Sequence, residues 1–121
     1  MIHLDRRRIR GMAESAAWLL GRRRRIRIVG DSMLPTLAAG QFVLVDQRRT
    51  PVEGELALAR HPLEADLLVV KRVASIGLDG TFSLVSDNVE AGTDSRTWGP
   101  ISPDAIEGTV TLLLDHPSAG L

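Results

Sequence analysis

Ile26-Arg27-Ile28-Val29-Gly30-Asp31-Ser32-Met33-Leu34-Pro35-Thr36-Leu37-Ala38-Ala39-Gly40-Gln41-Phe42-Val43-Leu44-Val45 reads as strand, turn, strand. The flanking runs are rich in β-branched residues, and Ile26 and Ile28 alternate with arginines, the period of a half-buried strand. Between them Gly30 and Gly40 bound a turn that contains Pro35. A turn of this kind, held on rigid strands, can display a reactive side chain. Ser32 is the candidate, although Asp-Ser and Pro-Thr are also ordinary turn residues with local reasons to sit there.

Outward from this stretch the chain keeps a strand period. Phe42–Asp46, Glu55–Arg60 and Asp66–Ile76 follow, the last being the longest apolar run. Asp79-Gly80 predicts a hairpin turn before Thr81–Val85, and Ile106–Leu114 supplies a final strand. Ser86–Pro100 is polar and too long for a simple turn, a length often tied to function. Gly11–Leu20 reads as a short helix ended by Gly21. The expected fold is mostly β, a small folded sheet or barrel with a short N-terminal helix. Neither a repeat nor a linker divides it. The expected organisation is a basic arm over 1–25, one domain over 26–116 and a tail over 117–121.

The 121 residues include no cysteine, which excludes disulfides, thiolate zinc sites and a cysteine nucleophile. The formal charge is zero, but residues 1–28 hold nine arginines against Asp5 and Glu14, and the remainder is acidic. The apolar part of the first helix falls short of the roughly twenty residues that span a bilayer. Arg22–Arg25 stands where a signal-peptide cleavage region would need small residues. The arm is therefore expected to pack on its own domain with a solvated arginine turn. The alternative rests the basic helix beside Trp18 on an anionic membrane surface. No helix-turn-helix pattern accompanies the arginines and the body is acidic, so nucleic acid is not expected as a partner.

Ser32 needs a base. His3 and His116 lie near the termini, and His61 precedes a proline at a strand end, so a serine-histidine triad has little support. Lys71 is the only lysine against fourteen arginines, and it sits inside Leu67-Leu68-Val69-Val70-Lys71-Arg72-Val73. In a regular strand one of Lys71 and Arg72 points to the apolar side. If that is Lys71, desolvation lowers its pKa and lets a neutral amine accept a serine proton, which arginine cannot do. Neither a phosphate-cradling glycine loop nor a paired-histidine metal motif is present, so neither metal nor cofactor is expected.

These residues together resemble the serine-lysine peptidases of the S24/S26 group. Gly30-Asp31-Ser32-Met33-Leu34-Pro35-Thr36-Leu37 is similar to the nucleophile box of type I signal peptidases, and Val70-Lys71-Arg72-Val73 to their lysine box. Ser86-Asp87-Asn88 through Asp94-Ser95-Arg96-Thr97-Trp98-Gly99-Pro100 is similar to their last box. The resemblance implies a signal-peptidase-like fold, Ser32 as nucleophile and Lys71 as general base. Met33 and Pro35 would shape the turn, with Gly30 and Asp31 beside the nucleophile and the Ser32 N–H as an oxyanion donor. Asp94 and Arg96 would form a structural ion pair, while Asp87 and Asn88 hold the last box in place.

Three positions depart from the pattern. Gly30 stands where some signal peptidases carry a hydroxyl, and Gln41 replaces the usual aspartate. Gly92 falls where many members have the serine that orients the lysine, leaving that role to Thr93, Ser95 or a water, or Lys71 to be held by packing alone. Ala59-Arg60-His61-Pro62 and Ser86-Asp87-Asn88 with Gly92 are similar to the nickel-type superoxide dismutase maturation proteases. The resemblance thus implies a cytoplasmic endopeptidase that removes an N-terminal propeptide from a precursor bound as an extended strand. Alternatives are a signal peptidase acting peripherally at a membrane, a non-catalytic peptide-binding β-domain and, remotely, a self-cleaving repressor relative.

Overall fold

Strand alternation at Ile26 and Ile28 produces the first strand, but it begins earlier than the sequence suggests. In the computed structural model, which describes residues 23–114, the strands are β1 (Arg23–Arg27), β2 (Phe42–Asp46), β3 (Leu56–Arg60), β4 (Leu68–Ile76), β5 (Phe82–Val85) and β6 (Ile106–Leu114). The expected N-terminal helix, His3 and His116 lie outside the described residues. Arg23–Arg25 were expected in a solvated turn and instead belong to β1, where Arg25 is buried. The stretch from Ser86 to Pro100 is not structureless, because Ser95–Trp98 forms a single helical turn, α1.

All six strands pair antiparallel in one sheet of order β1-β2-β6-β3-β4-β5. β6 inserts between β2 and β3 and joins the two halves. Irregularities between Leu44 and Val45, Leu58 and Ala59, and Val73 and Ser75 interrupt the ladders. Such bulges bend a sheet and raise its twist.

β3 is buried along Leu56–Ala59 because it carries core on both faces. Leu56 and Leu58 join Ile26, Val43, Val45 and Val70 in one apolar cluster. Ala57 and Ala59 join Val73, Phe82, Leu84 and Ile101 in a second. A strand covered on both faces reads as a continuous apolar run, which explains why β3 and β4 lack clean alternation. The turn from Gly30 to Gly40 belongs to the first cluster, since Met33 and Leu37 are buried within it. Its neck is closed by Ile28 N–H to Gln41 O and Gly40 N–H to Ile28 O, both 2.8 Å.

The junction of the two halves needs a glycine. A Cβ on Gly108 would stand 2.6 Å from Asp46 O and 2.7 Å from Val45 Cγ1. Gly108→Ala therefore forces β6 away from β2, with an expected loss of about 1–3 kcal/mol. Urea unfolding measures this, and an unchanged midpoint would show that the junction yields without cost.

Candidate active site

Two consecutive residues after β5, Asp87 and Asn88, hold the turn that carries Ser32. Asn88 N–H donates to Ser32 O (2.9 Å) and Asn88 Nδ2 to Asp31 O (3.0 Å). Asp87 N–H donates to Met33 Sδ (3.4 Å), and the Thr36 hydroxyl donates to the Asp87 carboxylate. Ser32 is thus fixed through its own carbonyl and both neighbours, while its N–H has no acceptor among the described residues. Pro35 follows a cis Leu34–Pro35 bond at the exposed tip, and Gly30 takes a positive φ of 81°.

Arg72 and Lys71 leave β4 on opposite faces. Arg72 shares the face of Leu68 and Val70 and forks onto Asp87, with Nε 2.8 Å from Oδ1 and a terminal nitrogen 2.7 Å from Oδ2. Its other terminal nitrogen donates to Gly54 O at 2.7 Å. Lys71 shares the face of Val69 and Val73, is 4% exposed, and donates from Nζ to Ser86 Oγ at 2.9 Å. Burial holds its amine below the ordinary 10.5; the Asp94 charge opposes this and Arg96 reinforces it. Burial dominates because the Asp94 carboxylate is already paired with a guanidinium.

Asp94 caps α1 and sits 3% exposed behind the lysine. It accepts from Ser86 N–H (2.8 Å), Arg96 N–H (2.9 Å) and Arg96 Nε (3.1 Å), and pairs with an Arg96 terminal nitrogen at 2.6 Å. The Arg96 contacts, then the Ser86 and Arg96 backbone N–H groups, hold its carboxyl well below the ordinary range against the effect of burial. Asp94 thereby anchors the backbone of the residue whose hydroxyl meets Lys71.

Gly92 lies between the two candidate catalytic groups. The place a Cβ would occupy there is 3.2 Å from Ser32 Cβ and 3.6 Å from Lys71 Nζ. Ser32 and Lys71 therefore face one small space, although no hydrogen bond joins them here. Catalytic contacts commonly tighten only once substrate is bound. Neither residue expected to replace a serine at Gly92 reaches the amine. Thr93 Oγ1 accepts from Trp98 Nε1 (3.1 Å), and Ser95 Oγ accepts from Leu84 N–H (2.9 Å), tying α1 to β5. Ser86 takes the contact instead. Sequence reading missed it, because its spacing from Lys71 becomes meaningful only when β4 and β5 pair.

A cleft of about 280 Å³ leads to this point, lined by Ile28, Val29, Met33, Leu58, Leu67 and Leu68 among others. Ser32 and Lys71 both line it. β5 pairs with β4 only from Arg72 onward, so the β4 edge over Leu68–Lys71 is unpaired among the described residues. His61 makes its contacts elsewhere than at Ser32 and Lys71: its Nδ1 accepts from Leu63 and Glu64 N–H (3.1 and 3.2 Å), and its ring packs edge-on to Trp98. The described residues hold no group of three or more His, Asp or Glu placed to bind a metal, and no helix long and apolar enough to cross a membrane.

Comparison with known proteins assigns the chain to a family. The Peptidase S24-like family matches residues 15–109, and the chain belongs to that family. It is similar to the mitochondrial ATP-independent inner membrane protease subunit 1a of Arabidopsis thaliana, 31% identical over 116 residues, covering 73% of this chain and 68% of that protein. The protein is thus a peptidase of signal-peptidase-like type.

The two depressed carboxyls set an acid limit. Bonds from Arg72, then Thr36, hold Asp87 below the ordinary 3.8, and Asp94 lies lower still than its own ordinary value. A carboxyl depressed on folding stabilises above its unfolded pKa and loses that contribution as pH falls through the folded value. Unfolding free energy should be level above about pH 5 and decline below about pH 4. Asp87→Asn should lower stability at pH 7 by about 1.5–3 kcal/mol and flatten part of the acid limb. Urea melts across the pH series decide this; an unaltered acid limb in the variant would remove Asp87 from the account.

Proposed function

We propose that the protein is a serine-lysine endopeptidase that removes an N-terminal leader from a precursor protein, with Ser32 as nucleophile and Lys71 as general base. The observation that carries this reading is the convergence of the Ser32 side chain and a buried, desolvated Lys71 amine on Gly92. A neutral amine has two N–H bonds and one lone pair. Donating one N–H to Ser86 Oγ fixes its rotation and leaves the lone pair for the Ser32 hydroxyl. Ser86 is accordingly a positioning residue.

The Ser32 oxygen attacks the scissile carbonyl carbon while Lys71 takes the hydroxyl proton. The carbonyl oxygen becomes an oxyanion, met by the unengaged Ser32 N–H. As the carbon–nitrogen bond breaks, the Lys71 ammonium gives its proton to the leaving amine, and the substrate acyl group remains as an ester on Ser32. Water then attacks the ester, Lys71 takes the water proton and returns it to the Ser32 oxygen. Substrate would lie extended in the cleft against the unpaired edge of Leu68–Lys71, as strands commonly add to open sheet edges. A nickel-type superoxide dismutase precursor is the substrate we propose, on the likeness at Ala59–Pro62 and Ser86–Asn88.

Incubation with such a precursor tests the reading, with Ser32→Ala and Lys71→Ala expected to abolish cleavage. In the wild type kcat/KM should rise with pH to an inflection below 10.5, where the amine becomes neutral. Ser86→Ala should lower kcat by about ten- to a hundredfold with little change in KM. Because the lost acceptor favours the protonated amine, it should also move the inflection to lower pH. Undiminished cleavage by either dyad variant would defeat the mechanism, and an unmoved inflection would reduce Ser86 to a packing role.

A further inference from the structure

β1 carries three arginines on one face, Arg23, Arg25 and Arg27, while Ile26 and Ile28 turn to the other face and enter the core. The three are treated differently. Arg23 lies opposite Asp46 and forms an ion pair with it at 2.9 Å. Arg25 is buried with its guanidinium carbon 3.5 Å above the Phe42 ring. Arg27 lies opposite Phe42, whose ring already meets Arg25, and is exposed with no ion pair or hydrogen bond among the described residues. It is also the arginine that borders the cleft, whose lining otherwise holds one ionisable side chain, Lys71, and no carboxylate.

The other edge of β1 is unpaired among the described residues, since β1 ends the sheet. A peptide lying along Arg27–Val29 alternates its side chains like any strand. Residues on the face of Ile26 and Ile28 point into the apolar cleft, and the residue between them points out beside Arg27. Cross-strand neighbours of opposite charge attract, and like charges repel. We propose that Arg27 selects substrates with an acidic side chain at that outward position, so that the leader carries an apolar–acidic–apolar pattern next to its cleavage site. This rests on the peptidase reading and deepens it.

Peptide binding to the full chain carrying Ser32→Ala separates the two, because it requires a cleft but no chemistry. Fluorescein-labelled peptides of alternating valine and alanine, with a single Glu, Gln or Lys walked along them, are titrated by anisotropy at low salt. At one position Glu should bind about threefold tighter than Gln, and Lys about threefold weaker, the size of an exposed ion pair. Adding Arg27→Glu should invert that order, Arg27→Gln should abolish it, and raised salt should compress it. Equal binding of the three peptides at every position overturns the proposal, as does an order unchanged by Arg27→Glu or no binding at all. Acid-selective binding without any cleavage by the unmodified enzyme would instead defeat the serine-lysine reading and leave Arg27 as the selector.

Discussion

The site depends on keeping one amine out of water without losing its orientation. Lys71 leaves β4 on a face shared with valines, and burial lowers its proton affinity. A buried ammonium is costly, so burial shifts the balance toward the neutral amine, the form a base would require. Desolvation alone would leave the amine free to rotate. Ser86 Oγ removes that freedom, and Asp94 holds Ser86 through its backbone N–H. Stability given up at such a residue is a common exchange at sites built for chemistry.

The segment Ser86–Asn88 is where the separate parts of the site are joined. Ser86 meets the lysine, Asp87 receives the Arg72 fork and the Thr36 hydroxyl, and Asn88 grips the backbone around Ser32. Neighbouring residues of β4 and of this segment therefore pair in order, Lys71 with Ser86 and Arg72 with Asp87. Strand alternation sends the two β4 side chains to opposite faces, so one contact orients the Lys71 amine and the other fastens the turn. Gly92 completes the arrangement by leaving the space between Ser32 and Lys71 without a side chain.

Much of this was legible from local pattern. The strand–turn–strand around Ser32, the hairpin at Asp79-Gly80 and the single lysine in the most apolar run are short-range signals. The Asp94–Arg96 pair was anticipated through resemblance and is formed. Arg25 was misread because a run of arginines looks solvated, while an aromatic ring on the neighbouring strand can bury one of them. The replacement for a serine at Gly92 was expected from Thr93, Ser95, a water or packing alone, whereas a hydroxyl at the other end of the loop, that of Ser86, meets the amine.

What the amino-acid sequence by itself determined is the succession of strands along the chain, the turn that carries Ser32, and the chemistry available to Lys71. Alternation, turn residues and side-chain type act over a few residues and need no partner. Tertiary structure alone decided that β6 enters between β2 and β3, that β3 is covered on both faces, and that Ser86 rather than Thr93 or Ser95 meets the amine. Those outcomes follow from which distant strands pair and in what register. A shift of one residue in that register would send Lys71 to the opposite face and dissolve the site.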